Sequence, residues 1–193
     1  MEAFVALLRG INVGRGNRVA MADLRGLLER LGFSNVSTLL NSGNAVFSAP
    51  AKIGTRAETN IARALADELG VSVPVIVKSA SQFDLIVSAN PDPVFNDPSR
   101  LLVALSSRHE ELERLGALES LLTPAESLCI TPHAAYLHCA TGVLESKAAA
   151  ALLGKLGRGV TTRNWSTVLK IAAALSSVSP GKPVKSKPLR GSD

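Results

Sequence analysis

Hydrophobic positions along the chain fall into short runs and helical stripes that follow one another in a regular order. Ala3 to Leu8 is a continuous apolar run ended by Arg9-Gly10, which reads as a buried strand. After a glycine-rich stretch, Met21, Leu24, Leu27, Leu28 and Leu31 recur at helical spacing and predict a helix over Val19 to Leu31, stopped by Gly32. Val36 to Leu40 and Ala45 to Phe47 read as strands joined by Asn41-Ser42-Gly43-Asn44, residues that tolerate the positive φ of a tight turn. Thr55 to Leu69 places Ile61, Leu65 and Leu69 on one face and ends at Gly70. Val73 to Val77 is a fourth strand, and its Pro74 suits a sheet edge.

Ser79 to Ser88 predicts a short helix covered through Phe83 and Ile86, and Pro91, Pro93 and Pro98 mark a joint that no helix crosses. Beyond it the order recurs. Leu101 to Leu105 is a strand and His109 to Leu118 a helix; Ser127 to Ile130 and Ala134 to Cys139 form a hairpin; Glu145 to Leu156 is a helix, and Val160 begins a short strand. Asn164 to Leu175 is a terminal helix. Each half thus matches a β-α-β-β-α-β plait in element order, without internal sequence identity. The predicted fold is α+β, two tandem ferredoxin-like plaits with a C-terminal helix. The first plait is 1–78, a connecting helix and Pro-rich joint 79–100, the second plait 101–162, the C-terminal helix 163–176, and a disordered basic tail 177–193. In such a plait the first strand lies between the third and fourth, so Val5 and Leu7 are expected between Val46 and Val75. A single α/β sheet is the alternative, and the tight turns between adjacent strands count against it.

Composition changes this picture little. Hydrophobic residues make up 46% of 193, enough for a sizeable core, while aromatics at 4% lower the expectation of base stacking. Of the net charge of +5, three units sit between Ser177 and Asp193, so the body is close to ordinary. Two cysteines, no export signal and no apolar run of membrane-spanning length point to a soluble cytoplasmic protein with no membrane partner.

The candidate chemistry centres on the loop after the first strand. Gly10, Gly14 and Gly16 follow a strand and precede a helix, where converging N–H groups bind phosphate. Neither a P-loop nor a dinucleotide-binding spacing is present, and a lone Gly-rich turn is more often only a turn. The company of Arg9, Arg15, Arg18, Asn12 and Asn17 raises the anion reading above that. The plait brings this loop beside Ser42, Gly43 and Asn44, and Arg163 at the start of the last helix is a further candidate for the anion or for an acidic neighbour. Thr162 or Asn164 would cap that helix and Trp165 would pin it to the body.

Other constellations are weaker. Cys129, His133, His138 and Cys139 match no common zinc spacing, so a buried cysteine pair and an exposed histidine are expected and no metal. Tyr136 and His138 share a strand face but lack an RNA-binding signature. Glu145-Ser146-Lys147 is explained by helix capping, with Glu145 favouring the dipole. No nucleophile elbow or triad is recognisable, catalytic residues are unassigned, and no cofactor is expected.

LLRGINVG at Leu7 to Gly14, Met21 and Leu24, NSGN at Asn41 to Asn44, Ser146-Lys147 and TRNWST at Thr162 to Thr167 together resemble a bacterial family, domain of unknown function 1697. The likeness runs from the first strand to the last helix. It implies tandem α/β plaits of cytosolic origin and transfers no activity or catalytic residue. A second glycine and a base after GINVG are usual in the family, and here Arg15-Gly16-Asn17-Arg18 keeps them in altered order.

The sequence therefore points to a module that binds a phosphorylated ligand, a nucleotide or a nucleic-acid backbone, at the glycine-rich loop. A small enzyme acting on such a ligand at the same rim, and a structural or partner-binding protein without a ligand, are the alternatives. Oligomeric state is left open.

Overall fold

The first apolar run forms β1 (Glu2–Leu8), buried from Ala3 onward because it takes the middle of a sheet. The computed structural model describes residues 1–14, 16–91 and 97–178. After β1 come α1 (Met21–Arg30), β2 (Ser34–Leu39), β3 (Asn44–Ala49), α2 (Gly54–Leu69), β4 (Val75–Ser79) and α3 (Ala80–Ser88). β5 (Leu101–Leu105), α4 (His109–Glu113), β6 (Ser127–Ile130), β7 (Ala135–His138), α5 (Lys147–Leu153), β8 (Thr161–Asn164) and α6 (Trp165–Val178) complete the order.

Two four-stranded antiparallel sheets result, β2-β3-β1-β4 and β6-β7-β5-β8. The first strand lies between the third and fourth, with Val5 opposite Val46 and Leu8 opposite Val75. This α+β class with a repeated strand order is consistent with two tandem ferredoxin-like units. Alternation along each strand sends side chains to two different cores. Phe4, Ala6 and Leu8 face α1 and α2, where Leu24, Leu27, Leu28, Ile61 and Leu65 cover them. Leu102, Ala104 and Leu137 face Leu112, Leu115, Leu118 and Leu152 on the far side of the second sheet. The remaining faces share one core: Val5, Leu7 and Val46 from the first sheet, Val103 and Tyr136 from the second, with Phe83 and Ile86 of α3 and Trp165, Val168, Ile171 and Leu175 of α6 between them. The layers run helices, sheet, helices, sheet, helices.

Local chemistry sets the boundaries. β4 starts after Pro74, which has no N–H for the ladder, and it is an edge strand as that proline suggests. A capping box starts α3, with Ser79 Oγ accepting from Gln82 N at 3.2 Å and Gln82 Oε1 from Ser79 N at 3.0 Å. Asn164 Oδ1 accepts from Thr167 N at 3.0 Å and caps α6.

Four expectations need correction. The helix over His109 to Leu118 is α-helical only to Glu113 and tightens into a 3₁₀ segment, Arg114–Leu121, which contains the poor helix former Gly116. α5 begins at Lys147, since Ser146 Oγ accepts from Ala149 N at 3.1 Å and leaves Glu145 outside; Gly154 ends the helix at Leu153. The cysteines do not form a pair, because Cys129 sits opposite Tyr136 against the shared core while Cys139 belongs to the outer core of the second sheet. The last helix starts at Trp165, with Arg163 and Asn164 in β8 rather than at its beginning, and it runs on through Ser177 to Val178, which packs against the shared core. The rest of the expected tail, and Asp92 to Asn96 of the joint, lie outside the described residues.

Arg163 on β8 bolts the halves together. Only 8% exposed, it donates to Asn44 Oδ1, to Leu8 O at 2.9 Å and to Ser42 O at 3.0 Å in the first half. On its own strand it donates to Thr161 Oγ1 at 2.9 Å and Thr162 O at 2.8 Å. Burial pushes its pKa down to about 10, which leaves it cationic at neutral pH. Asn44 is turned to meet it, its amide donating to Leu39 O and Ser42 Oγ, both at 3.0 Å. Gly43 is needed beneath: its φ is +74°, and a Cβ there would stand 2.7 Å from Leu8 Cβ.

Two outcomes are expected. Arg163→Ala leaves several buried oxygens without a donor, at about 1–3 kcal/mol each. Urea unfolding should show a loss of roughly 3 kcal/mol or more, and Arg163→Lys should recover only part of it, since an ammonium lacks the planar fork. A loss below about 1 kcal/mol would show that the bolt carries no weight. Tyr136, the only tyrosine, donates its hydroxyl to Ile86 O, and burial raises its pKa to about 12. An unfolded tyrosine ionises near 10. The stability tied to the neutral phenol is therefore intact below about pH 10 and lost as pH climbs through about 12. Tyrosinate absorbance in the native protein should rise only near the higher value; a native midpoint near 10 would place the phenol in water.

Candidate functional site

Asn12 holds the loop after β1 in place. Its amide donates to Val19 O and to Asn41 O, each at 2.9 Å, its Oδ1 accepts from Val19 N at 3.0 Å, and its N–H bonds Asn17 O at 3.1 Å. Gly10, Asn12, Gly14 and Asn17 all take positive φ, whereas Gly16 does not. The loop and the Asn41–Asn44 turn therefore meet, as the plait order requires. The contact is structural: Asn12 fastens it from one side, and Ser42, Gly43 and Asn44 serve Arg163 from the other.

The arginines of the loop part company. Arg18 is exposed, reaches back toward Gly14 O at 3.4 Å and lines a shallow depression with Asn12, Val19, Asp23 and Asn41. Arg15 lies outside the described residues. Arg9 turns into the cleft between the halves. Its backbone N–H bonds Pro74 O at 3.0 Å, while its guanidinium has no hydrogen-bond or ion-pair partner among the described residues. Burial pushes its pKa down, and the positive charge of Arg158 pushes it further the same way.

Arg9 lines two cavities. One, of about 320 Å³, is walled by Glu58, Pro74, Ser106, Ser107, Arg108, Arg158 and Gly159. Glu58 on α2 accepts from Val77 N at 2.8 Å and from the Ser107 hydroxyl. Ser106 Oγ donates to Gly159 O at 3.0 Å. Arg108 is engaged by Glu111, which also takes Arg114 at 2.9 Å. Glu111 packs so close to Gly159 that a Cβ there would overlap its carboxylate. Arg158 is exposed and, like Arg9, has no hydrogen-bond or ion-pair partner among the described residues. The second cavity, of about 460 Å³, lies between the loop and α5, with Leu8, Ile11, Val13, Leu152, Leu153 and Val160 on its walls. Beside the first, a small cavity of about 170 Å³ holds Lys78, whose pKa burial lowers and the nearby Glu58 carboxylate raises.

Of the residues singled out from the sequence, Arg9, Gly10, Ser42 and Arg163 border the second cavity, and Asn12 and Arg18 stand in a different one. Arg158, Ser107 and Glu58 were not foreseen. A signal existed for Arg158, since Gly157-Arg158-Gly159 repeats the pattern of Gly14-Arg15-Gly16. Glu58 and Ser107 gave none, because only the tertiary fold brings α2 of the first half beside the end of β5.

Among the described residues, no group of three or more His, Cys, Asp or Glu is placed to hold a metal ion. No described helix is long and apolar enough to cross a membrane. No curated protein matches the chain. Among solved structures, the conserved bacterial protein SP0830 from Streptococcus pneumoniae shares the fold at a TM-score of 0.75 and 24% identity, over 90% of this chain and 98% of that one. The family model described as protein of unknown function, DUF1697, matches residues 1–136, and with most of its length so covered the chain belongs to that family.

Proposed function

We propose that the protein binds a phosphorylated ligand, a nucleotide or another phosphate ester, in the cleft between its two halves, with Arg9 as the central contact. The observation that carries this reading is the pair Arg9 and Arg158: two arginines that line one cavity, neither guanidinium with a hydrogen-bond or ion-pair partner among the described residues. Like charges held together in a partly buried cleft lower the free energy of a bound anion, and guanidinium forks suit phosphate oxygens. The Ser106 and Ser107 hydroxyls line the same cavity. This shifts the weight of the site from the tip of the glycine-rich loop to its base.

A second reading, an enzyme acting on the phosphorylated ligand, is favoured by one contact. Ser107 donates its hydroxyl to Glu58 in the arginine-lined cavity. A hydroxyl beside a carboxylate that can take its proton is the pairing a nucleophile needs.

Titration calorimetry with inorganic phosphate and pyrophosphate tests the binding. One charge-assisted hydrogen bond is worth about 1.5–3 kcal/mol, so Arg9→Ala should weaken binding roughly ten- to a hundredfold. Arg158→Ala should weaken it in the same direction. Arg18→Ala, in its separate depression, should leave it unchanged. Absence of binding by the wild-type protein would sink the proposal, and a loss on Arg18→Ala alone would return the site to the loop tip. Ser107→Ala should retain binding; phosphate release from an aryl phosphate that survives this change would remove the enzymatic reading.

A further inference from the structure

We infer that the ligand is amphiphilic, an aliphatic phosphomonoester whose phosphate sits with Arg9 and Arg158 and whose hydrocarbon chain enters the adjoining cavity between the glycine-rich loop and α5. The inference rests on the reading of the cleft as a phosphate site and adds the class of molecule that carries the phosphate.

The two cavities adjoin, since Arg9 and Val160 line both, but their walls differ in kind. The first presents Arg9 and Arg158, beside the Glu58 carboxylate and two serine hydroxyls that donate to Glu58 and to Gly159 O. The second is walled mainly by apolar residues, of which Leu8, Ile11, Leu152 and Val160 are buried in the cores and Val13 and Leu153 expose their side chains. Its polar wall groups are largely spoken for: Leu8 O, Ser42 O, Thr161 Oγ1 and Thr162 O all accept from Arg163. What remains for a ligand is mostly apolar surface, chiefly that of Val13 and Leu153, with Arg9 at one end. At about 460 Å³ the space falls within the range of small-molecule sites.

Two exposed residues at this cavity support the same conclusion. Val13 is 75% exposed on the loop and Leu153 is 50% exposed on α5, so both leave apolar surface in water beside the opening. A chain lying between them would cover both. The aliphatic character of the lining favours an alkyl group over a nucleobase, which proteins usually hold by aromatic stacking.

The test is a ladder of affinities measured by calorimetry with inorganic phosphate and methyl, butyl, hexyl and octyl phosphate, each below its micelle concentration. Affinity should climb roughly three- to fourfold per methylene buried, then level off when the cavity is full. Arg9→Ala should lower every rung by the same factor and leave the slope alone. Val13→Asn and Leu153→Asn, both at exposed positions that folding does not need, should flatten the slope and leave inorganic phosphate unaffected. A flat ladder with phosphate binding intact overturns this inference and spares the phosphate site. If no member of the ladder binds, both fall together. Adenosine monophosphate binding more tightly than hexyl phosphate would also overturn the inference, in favour of a nucleotide.

Discussion

Burying a guanidinium imposes a constraint that much of this structure obeys. Arg163 is worth its place in the interior only if its donors all find oxygens, since an unpaired buried charge costs several kcal/mol. Those oxygens come from the end of β1, from the turn before β3 and from its own strand. The turn must then keep its carbonyls inward, Asn44 must be rotated by its own two donations, and position 43 must be free of a Cβ. Leu8 is held by this network, so the chain leaves β1 at Arg9 in a fixed direction, into the cleft. A structural cation thus aims the one that meets solvent.

That dependence explains why the candidate site draws on both halves. Arg9, Glu58 and Pro74 come from the first, Ser107 and Arg158 from the second. A ligand bridging them would favour the assembled state over any state in which the halves separate, by simple mass action. The shared core makes such separation costly in any case, since Val5 and Leu7 would lose the cover of α6.

Much of the architecture was legible in the sequence because it rests on period. The continuous apolar run Ala3 to Leu8 and the helical stripe Leu24, Leu27, Leu28 are local signals, and the burial of those residues follows them. Gly70 ended α2 where expected, while Pro74 lies just before β4 rather than within it. Less legible was the loosened helix after Glu113, where a pattern suited to α-helix meets the weak propensity of Gly116. The sequence singled out only part of the candidate site. NSGN and Arg163 stood out through residue type, yet the chemistry of asparagine and arginine is the same whether it faces a ligand or a neighbouring strand. Only the packing of β8 against the first half decides between these, and no spacing along one chain encodes that. Glu58 and Ser107 were invisible for the same reason.

The middle layer carries a consequence for how the protein comes into being. α6 is apolar enough to be buried between two sheets, and it lies against β1, β2 and β3 as well as β5. Yet it is made after all of them. A nascent chain can pair the first sheet and cover one face with α1 and α2 while the face of Val5, Leu7 and Val46 still waits for a helix more than a hundred residues away. α3 can cover part of that face early, but during translation at about 5–20 residues per second the part under α6 stays uncovered for several seconds at least. The interval before α6 leaves the ribosome is when this protein is most exposed to aggregation and to capture by chaperones.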